Sequence, residues 1–181
     1  MQCLFIAPRS AVPLFRTAPD VIVADCTYKT NRFGLPLLNF CGIQALRKSF
    51  SIAAVFINAE KEEQYTWALQ ALREFLIEED LPLPKLIVTD RELALINALK
   101  HHEAFTLVPR LLCRWHVNMN VLAKGKRFFP PAIRLPDGSI KRNERFAAYL
   151  KGVTEMLPEL QEAGGIVLDL CRQATDRKSV V

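Results

Sequence analysis

The alternation of apolar and polar positions changes period partway along the chain, and that change orders the elements. VIVADC, residues 21–26, is a β-branched run that ends in a carboxylate and is bounded by Pro19 and Asp20, so it predicts a strand. PLLNFCGI follows the turn residues Asn31 and Gly34, and SFSIAAVF, residues 49–56, follows the polar connection QALRKS; both read as strands. Connections this short are most simply those of an antiparallel meander. From Glu60 to Glu79 the period lengthens: Tyr65, Leu69, Leu72 and Leu76 recur at three- to four-residue steps, the mark of an amphipathic helix, and Pro82 and Pro84 stop it.

Strand and helix then alternate. KLIVTD is a buried-type strand ending at Asp90, and RELALINALKHH follows as a helix. TLVPRLLC predicts a fifth strand, with Pro109 arguing for an edge position or a late start. WHVNMNVLAKGKRFF is helical at least as far as Gly125. The expected class is α/β, in the order β-β-β-α-β-α-β-α of an RNase H-like core. Beyond Phe129, FFPPAIRLPDGS marks a loop with an Asp137-Gly138 turn, and NERFAAYLKGVTEMLPELQEA is helical in pattern, interrupted at Pro158. The chain thus divides into a core, residues 1–127, and a segment, residues 128–181, that starts a helical insertion and ends in a frayed tail.

At 181 residues, half of them apolar, the chain can bury one sizeable core with an appendage. No run approaches the roughly 18 to 20 apolar residues of a membrane helix, so a soluble protein is expected. The opening MQCLFIAPRSAVPLF is broken by prolines and Arg9 and is not read as a secretory leader. Cys3, Cys26, Cys41, Cys113 and Cys171 form no CxxC pair, which fits reduced thiols inside a cell. The net charge of +5 is unevenly spread: residues 109–151 carry ten basic and two acidic side chains, while residues 52–103 carry five and ten. A basic segment beside an acidic one suits a polyanion partner, although a merely solvated surface looks the same in sequence.

Two carboxylates, Asp25 and Asp90, end hydrophobic strands, from which both can project into one cleft. Phosphoryl transfer on nucleic acid uses such pairs to hold two Mg²⁺ ions about 3.5 to 4 Å apart across the scissile phosphate. Either aspartate alone can equally be a turn or helix cap, Asp90 being well placed as an N-cap. Cys113 and His116 lie two residues apart at a strand-to-helix junction. A closed zinc site needs four ligands, so packing is the better chemical reading of this C-x-x-H step; His101 and His102 are within conceivable reach but look like a solvated helix end.

Four blocks, ADCTYKTNRFGLPLLNFCGI, AAVFINAEKEEQYTWALQAL, LIVTDRELALINAL and LLCRWHVNMNV, occur in this order. Together they resemble the blocks of Mutator-like (MULE) transposases and the related far-red-impaired-response proteins, over about residues 4–127. FFPPAIRLPDGSIKRNERFAAYL is similar to fungal members. The resemblance implies a DDE-type DNA transposase using Mg²⁺ or Mn²⁺, with Asp25 and Asp90 as the first two catalytic, metal-binding acids and Cys113 with His116 as the C-x-x-H signature. It implies transposon-end DNA as partner, a nuclear location, and room for a homo-oligomer. Arg110, Arg114, Lys124, Lys126 and Arg127 are the expected phosphate contacts. The family's third acid is unassigned: Glu144, Glu155, Glu159 and Glu162 all fall in what looks like the insertion. With no zinc-type module before the core or zinc finger after it, the chain resembles a fragment, a decayed copy or a short gene model. A domesticated, non-catalytic DNA-associated regulator is the alternative, and an RNase H-like exonuclease ranks last because it lacks the C-x-x-H block.

Overall fold

The computed structural model describes residues 3–45, 48–129, 133–141 and 143–152. In chain order the elements are β1 (Cys3–Ile6), α1 (Ala11–Thr17), β2 (Val21–Thr27), β3 (Leu37–Ile43), β4 (Ser49–Ile57), α2 (Glu62–Glu78), β5 (Leu86–Thr89), α3 (Leu93–His101), β6 (Arg110–Leu112), α4 (Arg114–Phe128), β7 (Ile133–Arg134) and β8 (Ile140–Lys141). A further helix, α5, occupies residues 144–152. No helix among the described residues is long and apolar enough to cross a membrane.

Six strands form one mixed sheet in the order β1-β4-β3-β2-β5-β6. The expected meander is present: β2 pairs antiparallel with β3, and β3 with β4. Asn31 builds the first turn, its side chain donating to the Leu35 carbonyl at 2.7 Å and accepting from the Phe33 and Leu35 amides, while Gly34 takes the positive φ of 68° that a β-carbon would strain. After the α2 crossover the chain returns beside β2, so β5 runs parallel to β2 and β6 parallel to β5.

Alternation along the strands then assigns two faces. Ile22, Ala24 and Ile87 point into the main core with Leu38, Phe40, Ile52 and Val55, closed by Phe15 of α1, Tyr65, Leu69, Leu72 and Leu76 of α2, and Leu95 and Leu99 of α3. Val21, Val23, Leu86 and Val88 point the other way, into a smaller cluster with Cys113, Leu111 and Trp115. Helix α4 therefore lies on the face opposite α2 and α3, and the odd-numbered positions of β2, Asp25 among them, face it.

One expectation is corrected, the solvated helix end at His102; the late start read for the fifth strand is found, at the sheet edge, and the N-terminal run, assigned no element above, has two. The N-terminal run forms a strand and a helix despite its prolines, because Pro13 sits in the first turn of α1, where the missing amide has no intrahelical partner to lose. The fifth strand takes the late start, spanning only Arg110–Leu112, since residues 102–108 form turns in which the Phe105 and Thr106 amides bond the His102 carbonyl. Of its apolar letters Val108 is buried, as is Phe105 just before the stretch, whereas Leu107 is 91% exposed. His102 is likewise no solvated helix end. It is buried against Phe105, its Nδ1 accepts from the Ala104 amide, and burial pushes its pKa below the ordinary range.

Beyond the sheet, α4 continues past Gly125 to Phe128. Helix α5 packs back on it, with Asn143 accepting from the Phe146 amide at the start and the rings of Phe146 and Tyr149 lying over Gly125 and against Phe129. Between them β7 and β8 form a two-stranded hairpin around the expected Asp137-Gly138 turn. The helical pattern read beyond Gly152 lies outside the described residues.

Candidate functional site

Register brings the two predicted aspartates together. Ala24 of β2 pairs with Thr89 of β5 in a parallel ladder, so Asp25 and Asp90 each follow one residue past the last pair, at the ends of strands spaced about 4.8 Å apart. Both are half-buried, and the alternation that sends Val23 and Val88 toward α4 sends these carboxylates the same way. On the other flank of Asp25, Asn39 of β3 is its paired residue. Asn39 escaped the sequence reading; a polar residue inside the apolar run PLLNFCGI was the one signal that could have found it.

The capping alternative for Asp90 is half right. Its Oδ1 accepts from the Glu92 amide at 3.1 Å and the Thr89 hydroxyl at 3.4 Å, forming a turn that hands the strand over to α3. The N-cap itself is Glu92, whose carboxylate accepts from the Ala94 amide at 3.2 Å.

The C-x-x-H step closes the site from above. The Cys113 amide donates to the Thr89 carbonyl at 2.7 Å, fixing the start of α4 beside the end of β5. Three residues on, His116 falls over the same turn as Cys113, and its Nε2 lies 3.5 Å from Asp25 Oδ1, while Nδ1 is buried without a hydrogen bond of ordinary geometry. The Cys113 thiol against the ring holds the imidazole pKa above its ordinary value, opposed by burial and assisted by the charges of Asp25 and Asp90. That both carboxylates act on one imidazole reflects their convergence. Cys41, on the same face of β3, is pushed up by burial and then by the Asp25 charge.

A second polar cluster, also missed in the sequence, lies across the sheet. Glu60 takes hydrogen bonds from Tyr28 and Tyr65. Cys26 sits with them, its thiol pushed up to about 12 by burial and by Glu60, so it stays protonated. Tyr65 is raised further, chiefly by burial. Among the described residues Cys3, Cys26, Cys41 and Cys113 form no disulfide.

Among the described residues no group of three or more His, Cys, Asp or Glu side chains is placed to hold a metal ion. Cys113 and His116 therefore make no closed zinc site there. Asp25 and Asp90 suit a hard divalent cation as oxygen ligands, but only as two of the roughly six that Mg²⁺ requires. Glu144 is exposed at the start of α5; Glu155, Glu159 and Glu162 lie outside the described residues.

The predicted phosphate contacts divide in two. Arg110, bonded to the Thr106 carbonyl, opens β6 opposite Ile87, while Arg114, first residue of α4, follows Cys113 at the carboxylate end. Lys124, Lys126 and Arg127 are exposed in the last turns of α4, about 15 Å further along at 1.5 Å per residue.

Comparison with known proteins gives a match to the MULE transposase domain over residues 21–120. A stretch of 110 residues is 29% identical to the PKS-NRPS hybrid synthetase cheA of Chaetomium globosum, covering 61% of this chain and 2% of that protein. Another of 114 residues is 26% identical to Protein FAR1-RELATED SEQUENCE 5 of Arabidopsis thaliana, covering 63% of this chain and 14% of that protein. The chain thus matches a small part of either relative's length. No solved structure matches.

Proposed function

Since the chain belongs to the MULE transposase domain family, we propose that it carries part of the catalytic domain of a DDE-type DNA transposase, with Asp25 and Asp90 as two acids of a Mg²⁺- or Mn²⁺-dependent site for DNA cleavage and strand transfer in the nucleus. The observation that carries this reading is that Asp25 and Asp90 each lie one residue past the Ala24–Thr89 pair, with His116 Nε2 3.5 Å from Asp25 and its ring under the charge of both. A sheet with three antiparallel strands followed by two parallel ones, ordered β4-β3-β2-β5-β6, supports an RNase H-like core, to which β1 adds an outer strand. Bound at the carboxylates, hard cations would activate the attacking oxygen and stabilise the leaving one. Asp25 and Asp90 would hold them, and a third acid from outside the described residues would complete the set.

Arg110, Arg114, Lys124, Lys126 and Arg127 contact DNA phosphates in this reading. The roughly 15 Å between Arg114 and Lys124 along α4 corresponds to four or five base-pair steps, so a duplex lying along the helix meets both ends. A second reading is a DNA-associated regulator of transposase descent without catalysis.

The test is cleavage of supercoiled DNA in Mg²⁺ or Mn²⁺, together with DNA affinity at two salt concentrations. The chain alone binds weakly with a steep salt dependence and does not cut, because two carboxylates neither align nor activate the attacking oxygen. Cutting that vanishes in Asp90→Ala would show that a glutamate of this chain completes the site. Affinity that ignores salt, or survives Lys124→Ala/Lys126→Ala/Arg127→Ala unchanged, contradicts the DNA-contact assignment.

A further inference from the structure

The hairpin that follows α4 belongs to no core. All nine residues from Ile133 to Lys141 are exposed, Ile133 by 62% and Ile140 by 59%, and Phe128 just before it by 82%. A two-stranded hairpin of this size gains little stability by itself, and apolar side chains left in water add none. Its shape is nevertheless specified. The Leu135 amide bonds the Ser139 carbonyl at 2.8 Å, the Gly138 amide bonds the Leu135 carbonyl at 2.9 Å, and Gly138 adopts a φ of 84°.

The pairing decides what such a ribbon presents. Ile133 stands opposite Lys141 and Arg134 opposite Ile140, so each face carries one apolar and one cationic side chain. The one acid of the hairpin, Asp137, is turned inward on Ser139, accepting from its amide at 2.8 Å and its hydroxyl at 2.6 Å. What faces outward is therefore cationic and apolar at every rung, continuous in sequence with Lys124, Lys126 and Arg127. Protein interface cores are depleted of charge, so this alternation does not suit an apolar protein partner. It suits a polyanion that also offers apolar edges.

We propose that the β7–β8 hairpin enters the major groove of duplex DNA, with the face that carries Ile133 and Leu135 toward the base edges, and with Lys141 of that face and Arg134 of the other reaching the bordering phosphates. The major groove, about 12 Å wide, admits a two-stranded ribbon, whereas the minor groove at about 6 Å does not, and the thymine methyl group is its apolar feature. The proposal rests on the reading of α4 as a DNA-contacting helix and adds to it an element that senses base identity.

The experiment measures affinity of the full 181-residue chain for a short A·T-rich duplex and for the same duplex with uracil replacing thymine, at two salt concentrations. Ile133→Ser/Leu135→Ser should lose about tenfold in affinity with an unchanged salt slope, since only apolar contact is removed. Arg134→Ala/Lys141→Ala should lower the slope by up to about 2, near 0.9 per phosphate. The uracil duplex should bind wild type more weakly, and the serine variant no more weakly than its thymine counterpart. Every altered residue is exposed, so the fold is retained. If Lys124→Ala/Lys126→Ala/Arg127→Ala weakens binding while both hairpin variants bind like wild type, the hairpin proposal falls and the reading of α4 stands. If none of the three variants changes binding, both fall. Equal wild-type affinity for the two duplexes overturns the major-groove placement. A serine variant that dissociates a self-associated chain while keeping its DNA affinity makes the hairpin a protein interface and overturns the proposal.

Discussion

Replacing Gly125 should uncouple α5 from the rest of the chain without unfolding the sheet. A β-carbon built at Gly125 would lie 2.8 Å from a Phe146 ring carbon and 3.0 Å from Tyr149, where carbon contacts are comfortable at about 3.5 to 4.0 Å. These rings sit one turn apart on the same helix and are wedged against Phe129, with centroids 5.4 Å from it in both pairs, so neither can step aside alone. The whole of α5 must recede by roughly 0.5 to 1 Å. Overpacking of this kind costs about 1 to 3 kcal/mol, against about 1 kcal/mol gained by removing a glycine from a helix interior. Gly125→Ala should therefore be close to neutral or mildly destabilising. Gly125→Leu, with three more carbons to place, should undock α5. Hydrogen exchange followed by residue reads this directly: the amides of residues 144–152 lose protection in Gly125→Leu, while those of β2, β3 and β5 keep it. Ala123→Leu, an exposed position on the same helix, is the control and should change nothing. Wild-type protection of 144–152 in Gly125→Leu would refute the argument, since Gly125 would then not be the seat of α5.

Leu72→Ala, at a fully buried position of α2, should cost about 2 to 5 kcal/mol and lower the melting temperature, as cavity formation in the main core requires. His116 should titrate above its ordinary value of 6.5, and Asp25→Asn and Asp90→Asn should each lower that midpoint when followed by NMR. Because the folded-state pKa is the raised one, the stability His116 contributes is fully present below about pH 6.5 and is lost as pH rises through the folded value. A His116 midpoint unmoved by either substitution would show that the two charges do not meet at the ring.

Five of the sheet's six strands were legible in the sequence because their signals are local. The β-branched runs, the Asn31 and Gly34 turn and the switch of period at α2 each announce themselves within about ten residues. Asp25 and Asp90 were legible for a related reason: both end hydrophobic strands, and a parallel crossover brings strand ends together without further information. What stayed hidden is what only pairing or packing reveals. Pro13 masked α1 because tolerance of proline depends on its place in a first turn. Asn39 beside Asp25, and the Glu60, Tyr28, Tyr65 and Cys26 cluster, join residues up to 39 positions apart and carry no motif. Phe105 and Val108 have the apolar character of a strand but serve as anchors of a turn, a difference that no periodicity distinguishes over so few residues.

The central claim is that Asp25 and Asp90 form one cation site. Mn²⁺, titrated into the isotope-labelled full chain, tests this most directly through the paramagnetic broadening of nearby amides. The account predicts that the amides around Asp25 and those around Asp90 broaden together over the same range of concentration, that binding is weak because two carboxylates supply few of the ligands required, and that Asp25→Asn abolishes broadening at Asp90 as Asp90→Asn abolishes it at Asp25. Independent broadening at the two strand ends, each surviving substitution of the other aspartate, would contradict it.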